Sequence, residues 1–253
     1  MKKLMISSPF IICGHRGYPA KYPENTLISY EEAVKTGVAM IETDIAVSAD
    51  GVLMICHDAT LDRISDGHGP VSDYTCSELK QFNMGAKLPD CPKQRMMTLE
   101  EFLIWARQYP DMLLNIDLKH FGADVARRAA ELADFYGVTH RCVFNGLNGE
   151  GLAVIHGLGL YTEVAPEGKY TMENFDALRD GDDYRFDCVC IRWSDVNPEY
   201  VEQLKKTYHV SDVWCWGIDD EERTRNAIAS GISLVLCNDP FAAFRVAEEK
   251  GLR

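Results

Sequence analysis

Eight short apolar runs, each followed by a stretch of helical periodicity, recur along the 253-residue chain and narrow the folds open to it. The runs fall at residues 11–15, 40–46, 113–119, 142–146, 161–166, 188–194, 213–218 and 233–238. Between them apolar side chains lie three and four apart, as at Leu27, Tyr30 and Val34 ahead of Gly37. Thr98 and Glu101 have the spacing of a capping box before Phe102, Ile104 and Trp105. Strand and helix alternating in this way over one chain of this length predict a closed (β/α)₈ TIM barrel, a single domain over residues 1–253. A doubly wound open sheet would put a glycine-rich nucleotide turn after the first strand. Gly14-His15-Arg16-Gly17 is not a Gly-x-Gly-x-x-Gly turn. One interval is too long for an ordinary strand–helix loop. Asp50-Gly51 signals a turn into an extra strand at 52–56, and residues 59–97, polar and irregular, read as a small insertion after strand 2 at the barrel mouth.

Charge excludes whole classes of partner. Against 39 Asp and Glu stand 26 Lys and Arg, a formal net charge of −13. Such a surface repels nucleic acid and anionic bilayers, whose binding needs clustered cations. No apolar run approaches the roughly 18 residues of a membrane span, so no stable membrane insertion is expected. The apolar start Leu4-Met5-Ile6 is cut short by Ser7-Ser8-Pro9, and no export signal is read there. Nine cysteines cannot all pair within one chain, and seven lie in apolar runs; a reducing cytoplasm is the expected setting.

The chemistry concentrates at strand ends. Glu42 and Asp44 sit two apart on strand 2, and Asp117 and Lys119 repeat that spacing on strand 3, so each pair shares a face. If that face is the lumen, three carboxylates meet near the mouth, a set suited to one hard divalent cation, Mg²⁺ or Ca²⁺. Strand-end carboxylates paired with Lys and Arg are the structural alternative. His15 ends strand 1 and His57 ends the extra strand. Two imidazoles beside such a site suit phosphodiester cleavage, one taking a proton and the other returning one.

These residues carry a resemblance. His15-Arg16-Gly17, Pro23-Glu24-Asn25-Thr26, Glu42-x-Asp44 and His57-Asp58 resemble the ordered signature of the glycerophosphodiester phosphodiesterase family. Thr98-Leu99-Glu100-Glu101, Asp117-Leu118-Lys119, Trp216 and Asn238-Asp239-Pro240 continue it, from Cys13 to Pro240. The resemblance implies a metal-dependent hydrolase that releases glycerol 3-phosphate and an alcohol from small glycerophosphodiesters, in lipid and glycerol metabolism. By position, Glu42, Asp44 and Asp117 would hold the metal, and His15 and His57 would be the acid–base pair. Arg16 and Lys119 would hold phosphate oxygens, Asn25 would stand close to the site, and Trp216 would wall the glycerol. Two motifs depart from the family. Asp117 stands where Glu is usual, which bears on metal geometry. Asn238 stands where Thr is usual, and that change is expected to concern only the barrel rim.

On strand 6, Cys188, Cys190 and Arg192 are expected to face the lumen, and on strand 5 Glu163, Ala165 and Glu167. Glu163 and Arg192 would then either pair inside the barrel or leave Arg192 to the substrate. His68, His120, His140, His156 and His209 show no partner pattern, and Asp219-Asp220-Glu221-Glu222 reads as solvated charge at a helix start. Two other functions fit the same barrel. A lysophospholipase D-type enzyme would need an apolar groove near the insertion, where Leu79, Phe82, Met84, Leu88, Met96 and Met97 are available. A non-catalytic barrel binding a phosphorylated ligand is disfavoured by the intact histidines and carboxylates.

Overall fold

The computed structural model describes residues 9–119, 121–166 and 178–253; the N-terminal run, His120 and Glu167 lie outside them. Eight parallel strands form the barrel: β1 (Ile11–Gly14), β2 (Met40–Val47), β4 (Leu113–Asp117), β5 (Cys142–Asn145), β6 (Tyr161–Val164), β9 (Cys188–Arg192), β10 (Asp212–Trp216) and β11 (Leu234–Cys237). β1 pairs with both β2 and β11, which closes the sheet. The extra strand β3 (Leu53–Ile55) returns antiparallel along the end of β2. A two-residue ribbon, β7 (Arg179–Asp180) with β8 (Asp183–Tyr184), precedes β9.

Seven helices cover the outside among the described residues: α1 (Leu27–Thr36), α3 (Leu99–Ala106), α4 (Ala123–Phe135), α5 (Gly149–Gly157), α6 (Pro198–Tyr208), α7 (Glu221–Ala229) and α8 (Pro240–Glu249). Their starts follow local chemistry. Thr98 accepts from Glu101 N while Glu101 reaches back to Thr98 N, so the capping box satisfies two otherwise orphaned donors. Gly37 ends α1 in the left-handed conformation that a glycine adopts without a Cβ penalty.

Period-two alternation divides the barrel strands into two cores. Ile12, Ile41, Leu114, Phe144, Val189, Ile191 and Val213 point out and pack beneath the helices. Ile11, Cys13, Met40, Leu113, Val143, Tyr161, Cys188, Cys190, Trp214 and Leu234 fill the lumen. Following the inward positions upward, the side chains turn from apolar to polar: Met40, Glu42, Asp44 on β2; Leu113, Asn115, Asp117 on β4; Tyr161, Glu163 on β6. The lumen is thus plugged below and reactive above, at the C-terminal ends of the strands.

The insertion has its own small core. Met54, Cys56, Leu61, Ile64, Val71, Leu79, Met84 and Met96 pack together over β3 and the short helix α2 (Cys76–Leu79). Of the six apolar side chains available for a lipid groove, Leu79, Met84 and Met96 are buried here, Met97 is buried in the core beneath the helices, and only Leu88 is exposed. The segment is more ordered than its irregular composition suggests, because those scattered apolar residues bury one another.

Candidate active site

A cavity of about 180 Å³ opens at the barrel mouth, lined by His15, Arg16, Glu42, His57, Asp117, Lys119 and Trp216, with Glu163 and Cys190 deeper. The turn after β1 builds one wall. Arg16 has φ of 56° and Gly17 of 90°, two successive left-handed residues. Such a conformation costs a non-glycine residue on the order of 1 kcal/mol or more, so it must be held. Glu42 Oε2 accepts from Arg16 N at 2.9 Å, and Ser29 Oγ donates to Arg16 O at 3.1 Å. At Gly17 a Cβ would stand 2.4 Å from Ser29 Oγ, so only glycine fits.

One oxygen from each of Glu42, Asp44 and Asp117 lies within 4.8 Å of the others. The cations expected on phosphate are seated on these carboxylates. Lys119 Nζ lies 2.6 Å from Asp44 Oδ1 and 2.5 Å from Asp117 Oδ2. Arg16 Nε stands 3.2 Å from Asp44 Oδ2, close enough to pair in charge though not aligned as a hydrogen bond. Burial works against ionisation of Asp44, but Lys119, Arg16 and His57 outweigh it and hold the carboxyl down to about 2. Burial, and then the Asp44 charge beside it, push Glu42 the other way, well up. An acidic pair split in this manner lacks positive charge, and a divalent cation would let Glu42 and Asp44 ionise together. The donor set fits a hard ion.

Gly146 explains how the shorter Asp117 is fixed. A Cβ there would lie 1.9 Å from Asp117 Oδ1, the oxygen that also accepts from Lys119 N at 2.9 Å. The bare glycine backbone makes room for the carboxylate. Nothing in the spacing of the motifs pointed to it.

Each histidine is braced at Nδ1, and the braces differ. His57 donates to Asp58 Oδ1 at 2.7 Å, and Arg63 from the insertion bonds Asp58 and, through two nitrogens, Glu24. Glu24 in turn accepts from Arg16 at 3.0 Å, so one chain of charges joins His57 to the turn after β1. His15 Nδ1 lies 2.9 Å from Asn238 Oδ1. Burial and the neighbouring Arg16 lower the His15 pKa. The Asn238 contact corrects the expectation that this departure concerns only the rim, because the strand end turns the amide inward. Asp219, read as solvated charge, instead accepts from Asn238.

The remaining candidates stand at different depths. Asn25 is fully buried behind Asp44, donating to its Oδ2 at 2.7 Å, and it does not line the cavity. Trp216 lines the wall and Arg192 stacks over its ring 5.3 Å from the centroid, at the exposed rim. Among the described residues no ion pair joins Arg192 to Glu163. Glu163 accepts from Asn115 Nδ2 at 2.7 Å instead, and burial pushes its carboxyl up to about 7.

Comparisons with known proteins converge on one family. Residues 15–137 match the glycerophosphoryl diester phosphodiesterase family. A glycerophosphodiester phosphodiesterase of Bacillus altitudinis is 26% identical over 248 residues, covering 94% of this chain and 98% of its own. One from Caldanaerobacter subterraneus is 25% identical over 95% of this chain and 99% of its own. Among solved structures, an Oleispira antarctica phosphodiesterase in complex with the product sn-glycerol-3-phosphate superposes with a TM-score of 0.79 at 23% identity, covering 95% of this chain and 97% of its own. At that identity the superposition speaks to the fold, a closed barrel of the same kind.

Proposed function

We propose that the chain is a member of the glycerophosphoryl diester phosphodiesterase family and hydrolyses small glycerophosphodiesters to glycerol 3-phosphate and an alcohol at the barrel mouth. The observation that carries this reading is one cavity lined by two histidines, two cations and two carboxylates, Glu42 and Asp117, with Asp44 buried beside them in the same three-carboxylate cluster. Glu42, Asp44 and Asp117 would hold one divalent cation, Mg²⁺ or Ca²⁺, which when bound supplies Lewis acidity towards a phosphoryl oxygen. Arg16 and Lys119, released from part of their carboxylate pairing by that charge, orient and neutralise the phosphate. Trp216 gives the glycerol an apolar wall, with Arg192 at the rim and Asn25 holding Asp44 in place.

The braces divide the labour between the histidines. His15 is buried beside Arg16, so its ring stays neutral and takes the proton of the attacking nucleophile at Nε2. His57 gives its Nδ1–H to a carboxylate, the arrangement that steadies an imidazolium, and delivers a proton to the leaving alkoxide from Nε2. The barrel and its insertion share β2 and β3 as parts of one domain, and the burial of Leu79, Met84, Met96 and Met97 favours small water-soluble diesters over lysophospholipids.

His15→Ala and His57→Ala are each expected to lower kcat roughly 10²–10⁴-fold. A nitrophenyl diester, whose leaving group needs no proton, should restore His57→Ala but not His15→Ala. If neither variant is restored, the assignment of acid and base fails; if both keep full activity, the site itself is elsewhere.

A further inference from the structure

A side-chain amide beside an imidazole selects a tautomer, because it offers either a carbonyl oxygen or an amino group to the ring nitrogen. For Asn238 that orientation is fixed from the far side. Its Nδ2 donates to Asp219 Oδ2 at 2.8 Å, and its backbone N donates to Asp219 Oδ1 at 2.6 Å. The next backbone N, of Asp239, reaches the same oxygen at 3.4 Å. An ionised carboxylate only accepts, so Asp219 draws the amino group towards itself and leaves Oδ1 facing His15. That oxygen also only accepts, so His15 carries its proton on Nδ1. The lone pair is left on Nε2, 4.0 Å from Glu42 Oε2 and on the side of the cavity.

We propose that Asp219 and Asn238 are positioning residues that hold His15 as the Nδ1–H tautomer, with Nε2 free to accept a proton. The two come from different loops, after β10 and after β11, so the last two strands of the barrel jointly set the state of a side chain on the first. The inference rests on His15 being the proton acceptor only for its effect on rate. The tautomer itself follows from the hydrogen bonds alone.

The test is ¹⁵N NMR of the full chain labelled at the histidine rings, at a pH where His15 is neutral, with its signals assigned by their loss in His15→Gln. The wild-type ring should show the proton on Nδ1. Asp219→Ala keeps the amide but frees it to turn, and Asn238→Ala removes it. Both should move the ring towards the Nε2–H form that a free neutral histidine prefers. Both should lower kcat roughly 10- to 100-fold, as loss of an outer partner of a working imidazole does, with KM changed less than about threefold. An Nε2–H ring in the wild type overturns the proposal even if a variant fails to fold. So does an unchanged Nδ1–H ring in both variants when their melting shows them folded. Full activity of His15→Gln would instead remove the catalytic role and leave the tautomer result standing.

Discussion

Glu163 shows how burial can set a proton without a partner of opposite charge. The carboxyl is 4% exposed, accepts from Asn115, and is pushed up by burial to about 7. Below the ordinary carboxyl value, folded and unfolded chains are both protonated at this position. Between that value and about pH 7, the unfolded chain has lost the proton and the folded one keeps it. Stability contributed by the neutral side chain is therefore full at low pH and is lost as pH rises through the folded pKa. Over a window of roughly 2.5 pH units this is about 3 kcal/mol. Glu163→Gln, neutral throughout and similar in shape, should remove that slope. Urea unfolding at pH 5 and pH 8 should show the variant gaining on the wild type by roughly 2–3 kcal/mol at the higher pH. An equal difference at both would mean that Glu163 ionises without cost. Spacing at strand ends was enough to place Glu42, Asp44, Asp117, His15 and His57 at one barrel mouth, where the structure brings them together, while their proposed roles came from the family resemblance. Gly146 and Asp219 were not legible in the sequence, because their roles depend on a backbone approach and on a hydrogen bond between two loops.

At the level of elements, the insertion does more than decorate the barrel. Its core of Leu61, Ile64, Leu79, Met84 and Met96 seats Arg63, whose guanidinium spans Asp58 and Glu24. Hydrogen bonding from Arg63, ahead of that from His57, holds the Asp58 carboxyl at about 2, so the brace of His57 stays ionised. Arg63 is half exposed, and an exposed ion pair is worth roughly 0–1 kcal/mol, so the bridge contributes little to stability. Arg63→Met should accordingly shift the melting temperature by no more than a few degrees while lowering kcat about tenfold through the misplaced Asp58–His57 pair. Unchanged turnover would show that His57 is held without the insertion. The sequence marked this segment by its length and its turn residues. It did not reveal the packing, because apolar residues spaced by neither helix nor strand period leave no periodic signal.

For the whole molecule, the alternation of strands and amphipathic helices was enough to foresee the barrel, and all eight expected strands are present within a residue or two at most ends. The division of the lumen follows from the same alternation. Inward positions pass from Met40 to Asp44, from Leu113 to Asp117 and from Tyr161 to Glu163, so a packed floor supports a charged mouth. What single strands could not disclose is how the carboxylates share positive charge. Lys119 pairs with Asp117 beside it, but its contact with Asp44 and that of Arg16 with Asp44 exist only once neighbouring strands have come together. The net charge of −13 gives the same mouth a need for a local cation before an anionic substrate can enter. The deciding measurement is therefore release of glycerol 3-phosphate from a glycerophosphodiester by the full chain, after chelation and again after Mg²⁺ or Ca²⁺ is restored. Release that falls at least about a hundredfold on chelation and returns with the ion is the predicted result, given the several kcal/mol that a bound cation supplies to phosphoryl transfer. Release indifferent to the chelator, or no release under any condition, would contradict it.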